Sequence, residues 1–341
     1  MTTPDSHTPL VSVVIVNYNG GDVLAPCLRS VYAQPYLPLE IIVVDNGSTD
    51  GSRALLRGEF PGVRVLAQER NLGFAEGNNR GVASAAGDCV VLLNNDTEVT
   101  AGWIPALLRL LDVPGVAAVT SRVVTDGVPK EYYAMNGTVN YLGYNIMRAF
   151  SDLSSVFFAG GASLMFRKSV VGTPFLPEYF LYQEDLFLSW RLRLAGYDVR
   201  MAQESVVYHR GSVTSRKQPG RLVTYYQERN RLLNCLLLYS PVTLLKISPL
   251  AVADALAKIL LSILTRRKSF VGIVHSYLWC LTHWCWISIC RKSLQAGRRV
   301  ADRDILKWMS PRIVEGNGIA ARCLNACART YARIVRLPYH A

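Results

Sequence analysis

Five short runs, Val11–Val16, Glu40–Val44, Val63–Leu66, Cys89–Leu93 and Val116–Val119, are rich in β-branched residues and show no regular alternation of apolar with polar side chains. A sheet with one wet face alternates, whereas runs apolar on both sides read as strands covered by helices on both faces. The stretches between them, including Val23–Tyr32, Ser52–Arg57 and Ala75–Ala85, have helical character. Strand and helix in succession predict an α/β domain with a mainly parallel central sheet. In such sheets ligands bind beyond the carboxyl ends of the strands.

Those ends are chemically alike. The first strand closes on Asn17-Tyr18-Asn19-Gly20 and the second on Asp45-Asn46-Gly47-Ser48-Thr49-Asp50. The third leads into Asn71-Leu72-Gly73-Phe74, and the fourth, VVLL, runs straight into Asn94-Asn95-Asp96. Each alone is ordinary turn or helix-cap chemistry, but four successive strands delivering amides and carboxylates to one edge predict a polar ligand site. There is no G-x-x-x-x-G-K-[ST] loop and no G-x-G-x-x-G opening the first helix, so neither a P-loop nor a standard dinucleotide fold is supported. A nucleotide can still be held if its base pairs with side chains and its diphosphate is neutralised by a metal on a carboxylate. Asp45 is placed for the first task and Asp96 for the second.

The ordered segments SVVIVNYNG, VVDNGSTDGS, ERNLGFAEGNNRG, LLNNDT, GGASLMFRKS, EDLFLSWRLRLAGY and VYHRGSVTSRK resemble a glycosyltransferase family 2 enzyme of GT-A fold, nearest the bacterial rhamnosyltransferase-like group. The resemblance covers residues 10–215, the expected catalytic domain. It implies that Asn17, Tyr18 and Asn19 border the base and ribose, and that Asp45 accepts from the imide N–H of a uracil or thymine. Arg70, Asn71, Gly73, Phe74 and Asn78 would hold the nucleotide. Asn94-Asn95-Asp96 stands where the family has its metal-binding Asp-x-Asp, so the site has one carboxylate, Asp96, with His209 as the second protein ligand. Mg²⁺ or Mn²⁺ would serve, and the imidazole tilts the choice toward Mn²⁺.

Acidic residues at a helix start are commonplace, but the Glu184-Asp185 pair matches the family's acidic pair, which makes Asp185 the general base with Glu184 in support. Phe187 replaces a further acidic residue common in the family. By the same resemblance Gly160-Gly161-Ala162 floors the sugar pocket. Tyr132–Phe150, rich in Tyr, Asn and Gly, is expected to shape the acceptor side, since aromatic faces suit sugar rings.

The remainder, 221–341, is a different material. Residues 1–210 carry a net charge of −4 and residues 211–341 a net +16. Tyr225–Tyr239 reads as a helix, followed by Pro241–Leu264 broken by its proline. Phe270–Cys290 then runs for 21 residues without a charged side chain. That is long enough to cross a bilayer, yet basic clusters flank both ends, which favours helices lying in the interface with basic residues on anionic headgroups. No RNA- or DNA-reading motif accompanies the basic tail, so nucleic acid is not the expected partner.

The N-terminal MTTPDSHTPL has no basic stretch, and VSVVIV is too short for a signal-peptide core, so the body is expected in the cytosol. The eight cysteines form no Cys-x-x-Cys pair and read as reduced, buried thiols. The combined expectation is an inverting, metal-dependent glycosyltransferase, peripheral or monotopic at the cytoplasmic face of the cell membrane. It would move a sugar from a nucleoside-diphosphate-sugar donor, dTDP-rhamnose or a UDP-sugar, to a cell-surface glycan or lipid-linked acceptor. The alternative is a catalytically inactive sugar-nucleotide-binding or scaffold protein of glycan assembly.

Overall fold

The computed structural model describes residues 8–125, 138–146, 156–211, 219–265, 269–314, 316 and 318–338. Two compact units interleave along the chain. The first comprises Met1–Asn136, Ala149–Leu188 and Asp198–Lys217, and the second Gly137–Arg148, Ser189–Tyr197 and Gln218–Ala341.

The strands in chain order are β1 (Val11–Asn17), β2 (Leu39–Asp45), β3 (Arg64–Ala67), β4 (Cys89–Asn94), β5 (Thr97–Val99), β6 (Val116–Thr125), β7 (Thr138–Val139), β8 (Asn145–Ile146), β9 (Ser163–Arg167) and β10 (Asp198–His209). The first unit holds an eight-stranded sheet in the order β3-β2-β1-β4-β9-β6-β10-β5. The five expected strands are all in it. The sheet is mixed, however: β9 runs antiparallel to both β4 and β6, and β5 antiparallel to β10. SLMFR and TEV, the sequences of β9 and β5, are too short and too polar at their ends to announce themselves as strands.

The helices of this unit are α1 (Gly21–Tyr32), α2 (Ser52–Glu59), α3 (Gly73–Ser84), α4 (Trp103–Leu111), α5 (Lys168–Val171) and the start of α6 (Glu184–Leu194). Leu24, Leu28, Trp103 and Leu107 from α1 and α4 join Val11, Val13, Ile15 and Val91 in one buried cluster. Helix α3 covers β1 from close range. A Cβ at Gly81 would lie 2.2 Å from Val14 Cγ1, so any larger residue forces the helix off the sheet.

The second unit contains the β7–β8 hairpin and the helices Gly220–Leu238, Pro241–Thr265, Phe270–Thr282, Trp284–Ala296, Asp302–Leu306 and Ile319–Ile334. One expectation for this region is corrected. Pro249 does not break its helix, which runs unbroken for 25 residues. A proline cannot donate to the carbonyl four residues back, and here Ser248 Oγ donates to that Leu245 carbonyl at 2.9 Å instead. Conversely Phe270–Cys290 is two helices that meet at His283, whose ring stacks on Trp279 at 4.1 Å. Among the described residues the one helix long and apolar enough to cross a membrane is Pro241–Thr265.

That helix carries Asp254 and Lys258 on its inner side. Lys258 Nζ lies 2.6 Å from Glu228 and 3.0 Å from Asp254, and Arg231 lies 3.1 Å from Glu228. Tyr144 packs against both cations, 4.4 Å from Arg231 and 4.2 Å from Lys258, and its hydroxyl donates to Asp254 at 2.8 Å. The outer side is bare: Leu245, Leu256, Leu260 and Leu264 are 56–75% exposed. All eight cysteines are free, but Cys285, Cys323 and Cys327 are exposed rather than buried, because they lie on outward faces of the last helices.

Candidate active site

Parallel register sets the first group of polar residues at one level. Asn17 pairs with Asp45 across β1 and β2, and Val16 with Asn94 across β1 and β4, so the strands reach the same edge together. Asn17 is wholly buried, donates from Nδ2 to Ser48 Oγ at 3.3 Å and accepts from Asn95 Nδ2 at 2.8 Å. Asn19, at φ +51°, accepts the N–H groups of Thr49 (2.8 Å) and Asp50 (3.3 Å) on one side-chain oxygen. Amides thus stitch the first and second loops together before any ligand arrives. Tyr18, between them, is half-buried.

Asp45 is fully buried at the end of β2. Its Oδ2 accepts from Arg53 Nε, while Oδ1 is closed to solvent and has no hydrogen-bond partner among the described residues. Arg53 is a residue that sequence reasoning did not find. Its only mark is a basic side chain on a short amphipathic helix, which ordinarily means a solvated face. Asn46 is the second omission. Its Nδ2 donates to Asn71 Oδ1 (2.9 Å) and the Gly73 carbonyl (3.0 Å), and its Oδ1 accepts from Leu72 N–H (3.0 Å). The D-N-G-S motif carried that signal.

The Asn71 loop ends in Gly73 at φ +83°, where a Cβ would lie 2.5 Å from the Phe180 ring. The first N–H groups of α3 are not open: Phe74 and Ala75 both donate to the Phe180 carbonyl, at 2.6 and 3.2 Å. Asn78 is buried within α3 and donates to the Phe74 carbonyl at 2.9 Å, and Arg70 is exposed.

The structure brings Asp96 and His209 together. Both are buried, with His209 Nε2 3.1 Å from Asp96 Oδ1 and 3.4 Å from Asn94 Nδ2. The antiparallel pairing of His209 with Thr97 fixes this meeting. Two ligands about 2.1 Å from one ion at a right angle stand about 3.0 Å apart, so the pair fits a shared divalent cation. Asn94 Oδ1, buried and without a partner among the described residues, adds a further neutral oxygen. Among the described residues no group of three or more His, Cys, Asp or Glu gathers here, so any such ion would need diphosphate or water oxygens to complete its shell.

The acidic pair lies at the start of α6, after a segment in which Phe180, Tyr182 and Gln183 all have φ between +57° and +71°. Non-glycine residues enter this region at a cost of order 1–3 kcal/mol each, and such strain gathers at functional sites. Asp185 Oδ2 accepts from Gly161 N–H at 3.0 Å and Oδ1 from Leu186 N–H at 2.7 Å. Burial raises the Asp185 carboxyl above its usual range. Burial, and then the neighbouring Asp185 charge, push Glu184 up from 4.5 to about 8. Glu184 Oε2 is buried and has no partner among the described residues. Phe187 faces the core against Tyr179 at 5.1 Å. Gly160, Gly161 and Ala162 are buried beside β9. Of the expected acceptor region Tyr132–Phe150, all but residues 138–146 lies outside the described residues, as do residues 212–217 of the last motif.

Residues 12–173 match the model of Glycosyl transferase family 2. The N-acetylglucosaminyl-diphospho-decaprenol L-rhamnosyltransferase of Mycobacterium tuberculosis is 27% identical over 253 residues, covering 64% of this chain and 82% of that protein. The O-antigen chain rhamnosyltransferase RfbN of Salmonella typhimurium is 26% identical over 219 residues, covering 61% and 68%. An uncharacterized Sinorhizobium fredii protein, y4gI, is 35% identical over 126 residues, which is 35% of this chain but only 14% of that longer protein. Among solved structures, GalNAc-T7 with UDP, GalNAc and Mn²⁺ superposes with a TM-score of 0.55 at 16% identity, over 67% of this chain and 48% of that one. That likeness is one of fold, a GT-A-like α/β architecture with a mixed sheet. The family match and the rhamnosyltransferase relatives agree: residues 12–173 carry a glycosyltransferase family 2 domain, and the chain is rhamnosyltransferase-like.

Proposed function

We propose that the protein is an inverting glycosyltransferase. It moves a sugar from a nucleoside-diphosphate-sugar, dTDP-rhamnose or a UDP-sugar, to a cell-surface glycan or lipid-linked acceptor. The observation that carries this reading is the buried Asp96–His209 contact of 3.1 Å, on a sheet whose other strand ends present Asn17, Asp45 and Asn95. Asp45 takes the base, with Asn17, Tyr18 and Asn19 beside the ribose. The Asn71 loop, with Arg70, Gly73, Phe74 and Asn78, frames the nucleotide. Asp96 and His209 hold a divalent ion, Mn²⁺ or Mg²⁺, with Asn94 and Asn95 adjoining. When bound, that ion supplies positive charge where the departing diphosphate accumulates negative charge. The Mn²⁺ and UDP held by GalNAc-T7 and the lipid-linked substrate in the mycobacterial relative's name support the class of donor, cofactor and acceptor.

Asp185 takes the proton of the acceptor hydroxyl as its oxygen attacks the anomeric carbon and the bond to the diphosphate oxygen breaks. The Gly161 and Leu186 N–H groups hold that carboxylate in place, and Glu184 holds its own proton nearby. Attack opposite the leaving group inverts the anomeric centre. The second unit associates with an anionic membrane surface, on the support of its bare leucine face and the net charge of +16 over residues 211–341. A donor screen with purified protein and Mn²⁺, following nucleoside diphosphate release, tests the reading. Release from dTDP- or UDP-sugars that is lost on removing metal and in Asp96→Ala is expected. Undiminished metal-dependent release by Asp96→Ala sinks the ion assignment, and retained anomeric configuration in the product sinks the single displacement.

A further inference from the structure

We propose that Arg53 is the residue that makes the base pocket select an imide, uracil or thymine, over guanine and cytosine. The inference rests on the donor reading above and concerns only how Asp45 is presented. A free carboxylate offers two equivalent acceptors. Here Oδ2 is taken by Arg53 Nε, and Arg53 Nη2 donates to the Gln68 carbonyl at 3.0 Å, so the guanidinium bridges β2 and the residue after β3. Oδ1 alone is left, buried and without a partner among the described residues. A buried acceptor left unpaired is unfavourable, a deficit that a ligand donor removes.

The shape of the remaining offer decides which base fits. Guanine presents two adjacent donors, N1–H and the 2-amino group, and pairs best with both oxygens of one carboxylate. With Oδ2 already accepting from Arg53, the second of those donors must share an oxygen partly committed elsewhere, which weakens the two-point match. Cytosine places its N3 lone pair where an acceptor already stands, which is repulsive. Uracil and thymine present a single N3–H between two carbonyls, which asks for one acceptor with a donor next to it. Oδ1 beside a guanidinium is that pattern, and Watson–Crick-edge readout of this kind sets base choice wherever proteins hold an unpaired base. Arg53 is thus a positioning residue, acting through the fully buried Asp45 carboxylate.

Calorimetric titration of the full-length protein with UDP, dTDP, CDP and GDP, each with Mn²⁺, tests it. The native chain is expected to bind UDP and dTDP at least about tenfold more tightly than CDP or GDP, the scale of one well-placed hydrogen-bond match. Arg53→Met frees Oδ2 and is expected to narrow the UDP-to-GDP preference by about tenfold. A purely structural role would weaken all four nucleotides together and leave the ratio where it was. Arg53→Gln reads the same ratio if the methionine variant does not fold. Equal binding of all four by the native chain, or an unchanged ratio in a folded variant, overturns the inference while leaving the donor reading intact. No binding of any of them removes the donor reading itself, and this inference with it.

Discussion

Both units bury carboxylates, and they treat them in opposite ways. In the second unit Glu228 and Asp254 face Arg231 and Lys258, two negative and two positive groups closed around the Tyr144 ring. Charge cancels, and the Coulombic attraction of Glu228 lifts Arg231 above its usual value despite burial. In the first unit Glu184 and Asp185 are neighbours of like sign, and burial, then the Asp185 charge, keeps a proton on Glu184 up to about pH 8. A neutralised cluster fixes the position of a helix. An uncompensated pair stays ready to exchange protons, which is what general-base chemistry needs.

The largest effect that bears on this contrast is chemical. Asp185→Asn keeps the shape and some hydrogen bonding but cannot take a proton, so transfer is expected to fall roughly a hundred- to ten-thousandfold. Nucleoside diphosphate affinity should hardly move, since Asp45, the Asn71 loop and Asp96 lie on other strands. Near-wild-type transfer removes Asp185 from the base role. Next in size is Glu228→Ala, which leaves Arg231 and Lys258 facing one carboxylate in place of two. Breaking a buried ionic set by deleting one member costs about 3–5 kcal/mol. A urea unfolding midpoint equal to that of the native protein would show the four charges to be independent.

The smallest effect separates the two kinds of burial by pH. Between about 4.5 and about 8 the folded chain keeps a proton on Glu184 that the unfolded chain has lost. The folded state binds more protons in that window, so this group makes stability fall as pH rises through it. Glu184→Gln removes the dependence. Its melting temperature should match the native value near pH 4.5 and exceed it near pH 8, with the gap opening between. A gap that closes with rising pH has the wrong sign for a carboxyl kept neutral by burial.

The sequence displayed the strand ends because each polar cluster interrupts an apolar run and four of them follow in succession. It also displayed Asp185, through its place at a helix start in a known motif order. Arg53 was not legible, since pairing between a helix and the end of another strand leaves no local pattern. The continuity of Pro241–Thr265 depends on one Ser248 hydroxyl standing in for the N–H that Pro249 lacks, an exchange that composition cannot report. The antiparallel β9 was missed for a related reason: Ser163 and Arg167 at its ends make it look like a loop, and only its two neighbours reveal a strand.

The carbonyl of Phe180 has one more consequence. It receives the N–H groups of Phe74 and Ala75, and it stands four residues before Glu184. The Asn71 loop and the segment that leads to the acidic pair therefore share a hinge pin. Moving one without the other strands two helix-start amides, at a cost of about 1–3 kcal/mol for each that is left buried. In hydrogen exchange the two segments would open together: the Phe74 and Ala75 amides keep time with residues a hundred positions away in the chain, and not with the solvent-facing turns of their own helix.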